Sequence, residues 1–170
     1  QPADRAASCA VFVGREKDEL DSAVNAALAE SWAADVIVEE YLDGPEFSVE
    51  AVAADGAVTT VAVTGKGIGG RTGVLKLDAE IPARLEAGDR TAVEQVAAEA
   101  VLACGLLNGP AHTEIRLTSS GPRVVEVNGR IGGVVISHMV RGVTRGGLFR
   151  AWYKLLYGKH PDSRPPPPGI

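Results

Sequence analysis

The chain has 170 residues, 45% of them hydrophobic, enough for one domain or for one large lobe with part of another. A formal charge of -5, with no Lys/Arg run longer than a dipeptide, excludes an electrostatic grip on nucleic acid. No apolar stretch is long enough to span a bilayer or to read as a secretory signal, so no membrane partner is expected.

Two cysteines, Cys9 and Cys104, make neither a disulfide framework nor a metal knuckle, which suits a cytoplasmic setting. The chain opens at Gln1 without a methionine and reads as part of a longer protein. Cys9 to Val13 is a short apolar run that predicts a strand. Leu20, Val24, Leu28 and Trp32 recur at four-residue spacing, an amphipathic helix from about Glu16 to Trp32. Asp35 to Glu39 is a β-branched strand, Asp43-Gly44-Pro45 is turn chemistry, and Phe47 to Ala53 is extended again. Asp55-Gly56 marks a hairpin into Ala57 to Thr64. A glycine-rich loop, Gly65 to Gly73, carries Lys66 and Arg71, and Val74 to Leu77 is a short strand.

A second helix runs from about Asp89 to Cys104, with Val93, Val96, Ala97, Ala100 and Val101 on one face, Cys104 as a small buried residue and Gly105 as its stop. Two strands follow, Ala111 to Thr118 and Arg123 to Asn128, then a glycine-containing loop (Gly129 to Gly133) into a helix. The last helix, Gly147 to Tyr157, stacks Phe149, Trp152, Tyr153 and Leu156 on one side, a core-packing stripe. Pro165 to Pro168 is an extended tail. The order β-α-β-β-β-β-α-β-β-α gives an α+β fold with largely antiparallel strands.

Alternation in Ala111 to Leu117 sends Thr113, Ile115 and Leu117 to a core and His112, Glu114 and Arg116 the other way. With Ser119-Ser120-Gly121 as a three-residue hairpin loop, Glu114 lies opposite Glu126 and His112 opposite Asn128. Facing carboxylates repel, so something compensates. A hard divalent cation held by the carboxylates and an amide oxygen is one answer. Two solvated glutamates, one neutralised by Arg116, are the other. Beside them, Gly129 and Gly132-Gly133 let the backbone approach a phosphate while Arg130 supplies charge, or simply join strand to helix.

Glu126-Val-Asn128-Gly-Arg130-Ile-Gly-Gly133, preceded by the strand His112-Thr-Glu114-Ile-Arg116, resembles the ATP-grasp superfamily. The resemblance implies that Glu114, Glu126 and Asn128 hold magnesium (or manganese) and that Arg130 is the catalytic arginine of phosphoryl transfer. A second match, Val38-Glu39-Glu40-Tyr41-Leu42-Asp43-Gly44-Pro45-Glu46-Phe47, is similar to the family's nucleotide hinge. It implies that Glu39, Tyr41 and Leu42 line the adenine, met by backbone groups of Glu39 and Leu42, and that Glu46 holds the ribose hydroxyls. Lys66 stands where relatives keep a phosphate lysine. The implied architecture is two α+β lobes gripping ATP, the N-terminal part missing: residues 1–38 a partial small lobe, 39–160 the large lobe, 161–170 a Pro-rich tail.

Within the superfamily the pattern looks like carboxylate-amine ligases. That implies ATP and magnesium as cofactors, a small carboxylic acid and an amine or amino acid as substrates, an acyl-phosphate intermediate and a possible homodimer. A biotin carboxylase-like enzyme and a non-catalytic nucleotide-binding domain are the alternatives. The chain departs from the pattern at Gln1-Pro2, where many members have Lys-Pro, and in the glycine-free loop Asp4 to Ala10. It also departs at Lys76, near which relatives are often acidic, and in the long stretch Arg141 to Gly147.

Overall fold

The computed structural model describes residues 1–5, 8–14, 16–69 and 75–159. Ala6 and Ala7 of the glycine-free loop, Arg71, Val74 and the Pro-rich tail lie outside the described residues. The elements are α1 (Lys17–Glu30), β1 (Glu46–Ala54), β2 (Ala57–Gly69), β3 (Leu75–Glu80), α2 (Ala87–Ala103), β4 (Gly109–Thr118), β5 (Gly121–Asn128), α3 (Val134–Val143) and α4 (Gly147–Leu156). The strands form one sheet in the order β3-β2-β1-β4-β5, and β1 is antiparallel to both β2 and β4, as β4 is to β5. The chain divides into two compact units, Gln1–Leu42 with Ile68–Leu77, and Asp43–Gly67 with Asp78–Ile170.

In the first unit α1 opens with a capping box between Glu16 and Glu19. Asp4 ties the segment after the helix: its carboxylate accepts from Ser31 Oγ at 3.0 Å and from the Ala33 amide at 2.6 Å. Two expected strands are absent. Cys9 to Val13 is irregular, and Asp35 to Glu39 contributes a single bridge, Val36 to Pro2. An apolar run becomes a strand only where a neighbour takes up its backbone groups, and here Pro2 is the only bridge partner among the described residues. The α1 stripe is only partly covered: Ala27 is buried and Val24 and Leu28 are half-buried, whereas Leu20 is 40% and Trp32 81% exposed. The Arg5 guanidinium lies 4.4 Å over the Trp32 ring instead.

The second unit is built on β1, buried along its whole length. One sheet face packs on α2: Phe47, Val49, Val63 and Ile115 meet Val93 and Ala97, and Ala51, Ala53 and Ala111 meet Val101. Three buried α2 residues at four-residue spacing match the predicted face. On the opposite sheet face Val52 packs with Val140 of α3 and Leu148 of α4. The expected α4 stripe is therefore the outer one. Leu148, Ala151 and Leu155 turn inward, while Phe149 is 38%, Tyr153 61% and Leu156 67% exposed. This helix carries apolar residues on both faces, so periodicity alone could not choose between them. The turn before it does: Gly146 takes φ +82°, and the Gly147 amide donates to Thr144 Oγ1 at 3.1 Å.

Three further expectations change. The long stretch Arg141 to Gly147 is mostly helix: Arg141 to Val143 ends α3 and Gly147 opens α4. Cys104 caps α2 and is exposed, because the helix turns its buried face elsewhere at that point. The glycine-rich segment from Gly65 is strand as far as Gly69, with Lys66 opposite Glu46 and Gly65 opposite Phe47. A Cβ on Gly67 would meet the Asp78 carboxylate, the far end of an exposed side chain that can turn aside.

Candidate functional site

The polar side of the sheet gathers residues from four strands. β1 presents Glu46, Ser48 and Glu50, with Glu46 opposite Lys66 of β2 and Arg116 of β4, Ser48 opposite Glu114, and Glu50 opposite His112. On β5, Glu126 lies opposite Glu114 and Asn128 opposite His112, the pairing expected from the sequence. It arises differently, however. The turn has two residues, Thr118 pairs with Gly121, and a bulge between Glu114 and Ile115 restores the register. A shorter turn and one extra residue cancel.

His112, Glu114 and Arg116 face away from the α2 core and are nonetheless buried. Buried charges require partners, and here they form a chain. Glu50 Oε1 lies 2.5 Å from His112 Nδ1, and His112 Nε2 lies 3.2 Å from Glu114 Oε1. Glu114 Oε1 accepts from Lys66 Nζ at 2.6 Å, and Lys66 is 3.7 Å from Glu46 Oε1. Glu46 Oε2 accepts from Arg116 Nε at 3.1 Å, and Arg116 also donates to the Gly44 carbonyl at 3.2 Å. Burial works against a charge on His112, but its hydrogen bonds to Glu114 and Glu50 and the Glu50 charge outweigh it, so its pKa is raised.

Arg116 donates to Glu46, and Glu114 is buried, so the solvated-glutamate alternative does not hold for Glu114. Of that alternative only Glu126 survives, on an exposed stretch of β5.

The donor set suits a hard divalent cation: two facing carboxylates and a neighbouring amide, all offering oxygen. Asn128 Nδ2 is buried and has no hydrogen-bond partner among the described residues, so turning this amide to present its oxygen breaks no bond of that nitrogen. No group of three His, Cys, Asp or Glu able to hold a metal exists among the described residues. Arg130 follows in the loop after β5, its guanidinium donating to the Ile131 carbonyl at 3.0 Å.

Glu39, Tyr41 and Leu42 lie in the first unit; Glu39 accepts from the Gln1 amide at 3.2 Å and Tyr41 is 44% exposed. The sequence reading missed Glu50 altogether and gave His112 and Arg116 no place in a buried network. The alternation Glu46-x-Ser48-x-Glu50 was the available signal, since it puts two carboxylates on one strand face.

Comparison with known families identifies the fold that carries this acidic hairpin. The sequence profile of the ATP-grasp domain matches residues 1–138, and the chain belongs to that family. It is 30% identical over 138 residues to carnosine synthase 1 of Gallus gallus, covering 80% of this chain and 15% of that protein. The L-amino acid ligase from Bacillus licheniformis is 29% identical with a TM-score of 0.77, over 91% of this chain and 37% of the ligase. The biotin carboxylase domain of the Hydrogenobacter thermophilus 2-oxoglutarate carboxylase, solved with MgADP and bicarbonate, shares the fold: TM-score 0.74, 17% identity, 94% of this chain and 36% of that one. The chain therefore spans a minor part of each relative. No helix among the described residues is long and apolar enough to cross a membrane.

Proposed function

We propose that this chain is the nucleotide- and metal-binding part of an ATP-dependent carboxylate-amine ligase. The observation that carries the reading is the juxtaposition of Glu114, Glu126 and Asn128, with Arg130 in the loop that follows, on an ATP-grasp fold. Relatives named for amino-acid ligation and carnosine synthesis support the reaction class.

In this reading Glu114, Glu126 and Asn128 hold magnesium, which when bound neutralises charge on the ATP phosphates. Arg130 offsets charge that develops as the γ-phosphoryl group moves. An oxygen of the substrate carboxylate attacks the γ-phosphorus and the bond to the ADP oxygen breaks, giving an acyl phosphate. The amine nitrogen then attacks the acyl carbon, phosphate leaves, and the nitrogen loses a proton. The hinge Glu39 to Glu46 is the adenosine site, a reading supported by the ATP-grasp family match, which runs through these residues. Lys66 is the phosphate lysine.

The test is ADP release by the full-length protein across amino acids and small carboxylates, with bicarbonate as one arm. Glu126→Gln is expected to abolish magnesium-dependent release; full activity in that variant removes Glu126 from the site. Release that needs bicarbonate and no amine would convert the reading to a carboxylase.

A further inference from the structure

The proposed reaction uses neither Glu50 nor His112, yet both are built into the site. Glu50 is fully buried. One of its oxygens contacts His112 Nδ1, and the other has no hydrogen-bond partner among the described residues. A carboxylate in such a place costs folding free energy, so its retention asks for a reason. His112 spans the gap between two carboxylates, Nδ1 toward Glu50 and Nε2 toward Glu114 Oε1. With both ring nitrogens facing carboxylate oxygens, the imidazole orients the Glu114 carboxyl from behind while Glu126 faces it across the strand pair.

The loop that carries Arg130 closes on the same two side chains. A Cβ on Gly132 would lie 2.9 Å from His112 Nδ1 and 3.0 Å from Glu50 Oε2, so only glycine allows this approach.

We infer that Glu50 and His112 form a positioning dyad that fixes the Glu114 carboxylate for the metal and seats the Arg130 loop beside it. The inference rests on Glu114 being a metal ligand. Carboxylates that bind metals are themselves held by hydrogen bonds, and losing such support typically weakens metal binding by about 10- to 100-fold.

The experiment measures the magnesium midpoint for binding of a non-hydrolysable ATP analogue to the full-length protein, and analogue affinity in excess chelator. Glu50→Gln keeps the side chain's size and is expected to raise the midpoint about tenfold with chelator-phase affinity unchanged. His112→Gln is the second variant, expected to act in the same direction. Equal midpoints in folded variants and the parent overturn the dyad. Glu114→Gln run alongside separates the two claims: if it leaves magnesium dependence intact, the metal reading fails; if it removes that dependence while Glu50→Gln moves nothing, only the dyad fails. The unmutated protein supplies a check free of folding defects. Its His112 ring nitrogen resonances must shift when magnesium and the analogue are added together, and resonances that stay in place overturn the inference.

Discussion

Replacing Lys66 by methionine should weaken the metal-free fold and make it depend on magnesium. The ammonium lies 2.6 Å from Glu114 and 3.7 Å from Glu46, and the three side chains are 4%, 9% and 7% exposed. Removing one member of a buried ion pair costs about 3–5 kcal/mol, mostly because the partner charge stays buried. Glu114 keeps His112 and Glu46 keeps Arg116, so the lower end, about 3 kcal/mol, applies. Magnesium at a hundred times its dissociation constant returns about 2.7 kcal/mol to a fold that binds it. Urea unfolding followed by circular dichroism, with and without magnesium, measures both quantities. A variant within about 0.5 kcal/mol of the parent, or magnesium stabilising the two proteins equally, refutes the reasoning.

Gly44 takes φ +128° where a Cβ would fall on the Leu117 carbonyl, so Gly44→Ala should cost about 3 kcal/mol by thermal denaturation. Gly88→Ala, in the first turn of α2 with nothing within 4 Å, should instead stabilise by about 0.5 kcal/mol. Leu148→Ala should lose about 3 kcal/mol and Leu156→Ala less than about 0.5 kcal/mol, a contrast that would reverse if α4 packed through its aromatic stripe. The raised pKa of His112 contributes stability that is complete below about pH 6.5 and lost as pH rises through the higher folded value. Metal-free stability should therefore fall across that interval, and His112→Asn should flatten the slope.

What could be read beforehand was set by local chemistry. The Asp55-Gly56 turn, the buried face of α2 and the antiparallel pairs each follow from a pattern a few residues long, and the sequence motifs at Glu114 and Glu126 carried the family. Elements whose form depends on distant neighbours were misread. Cys9 to Val13 has strand composition but gains no ladder, and Gly65 gains one because β1 lies alongside. The choice of face in α4 rests on a left-handed Gly146 that periodicity does not see. Burial on the polar side of the sheet was hidden for the same reason. Alternation tells which way Glu114 points, not that Lys66 and Glu46, 48 and 68 residues away, arrive beside it.

Charge on that side explains why stability and metal should be coupled through Lys66. Among the buried groups Glu46, Glu50 and Glu114 stand against Lys66, Arg116 and His112, whose two ring nitrogens both face carboxylate oxygens. Formally these cancel, and Glu126 on the exposed strand adds one negative charge. A divalent cation between Glu114 and Glu126 would overshoot that balance by one positive charge. Lys66, already touching Glu114, would then share that carboxylate with the metal, and a phosphate would take up its charge. In Lys66→Met the cluster is short of that charge from the start. Magnesium alone should therefore bind the variant more tightly than the parent, whereas the magnesium-nucleotide complex should bind it more weakly. Titration calorimetry reads both affinities, and two changes of the same sign would show that Lys66 does not exchange the carboxylate for phosphate.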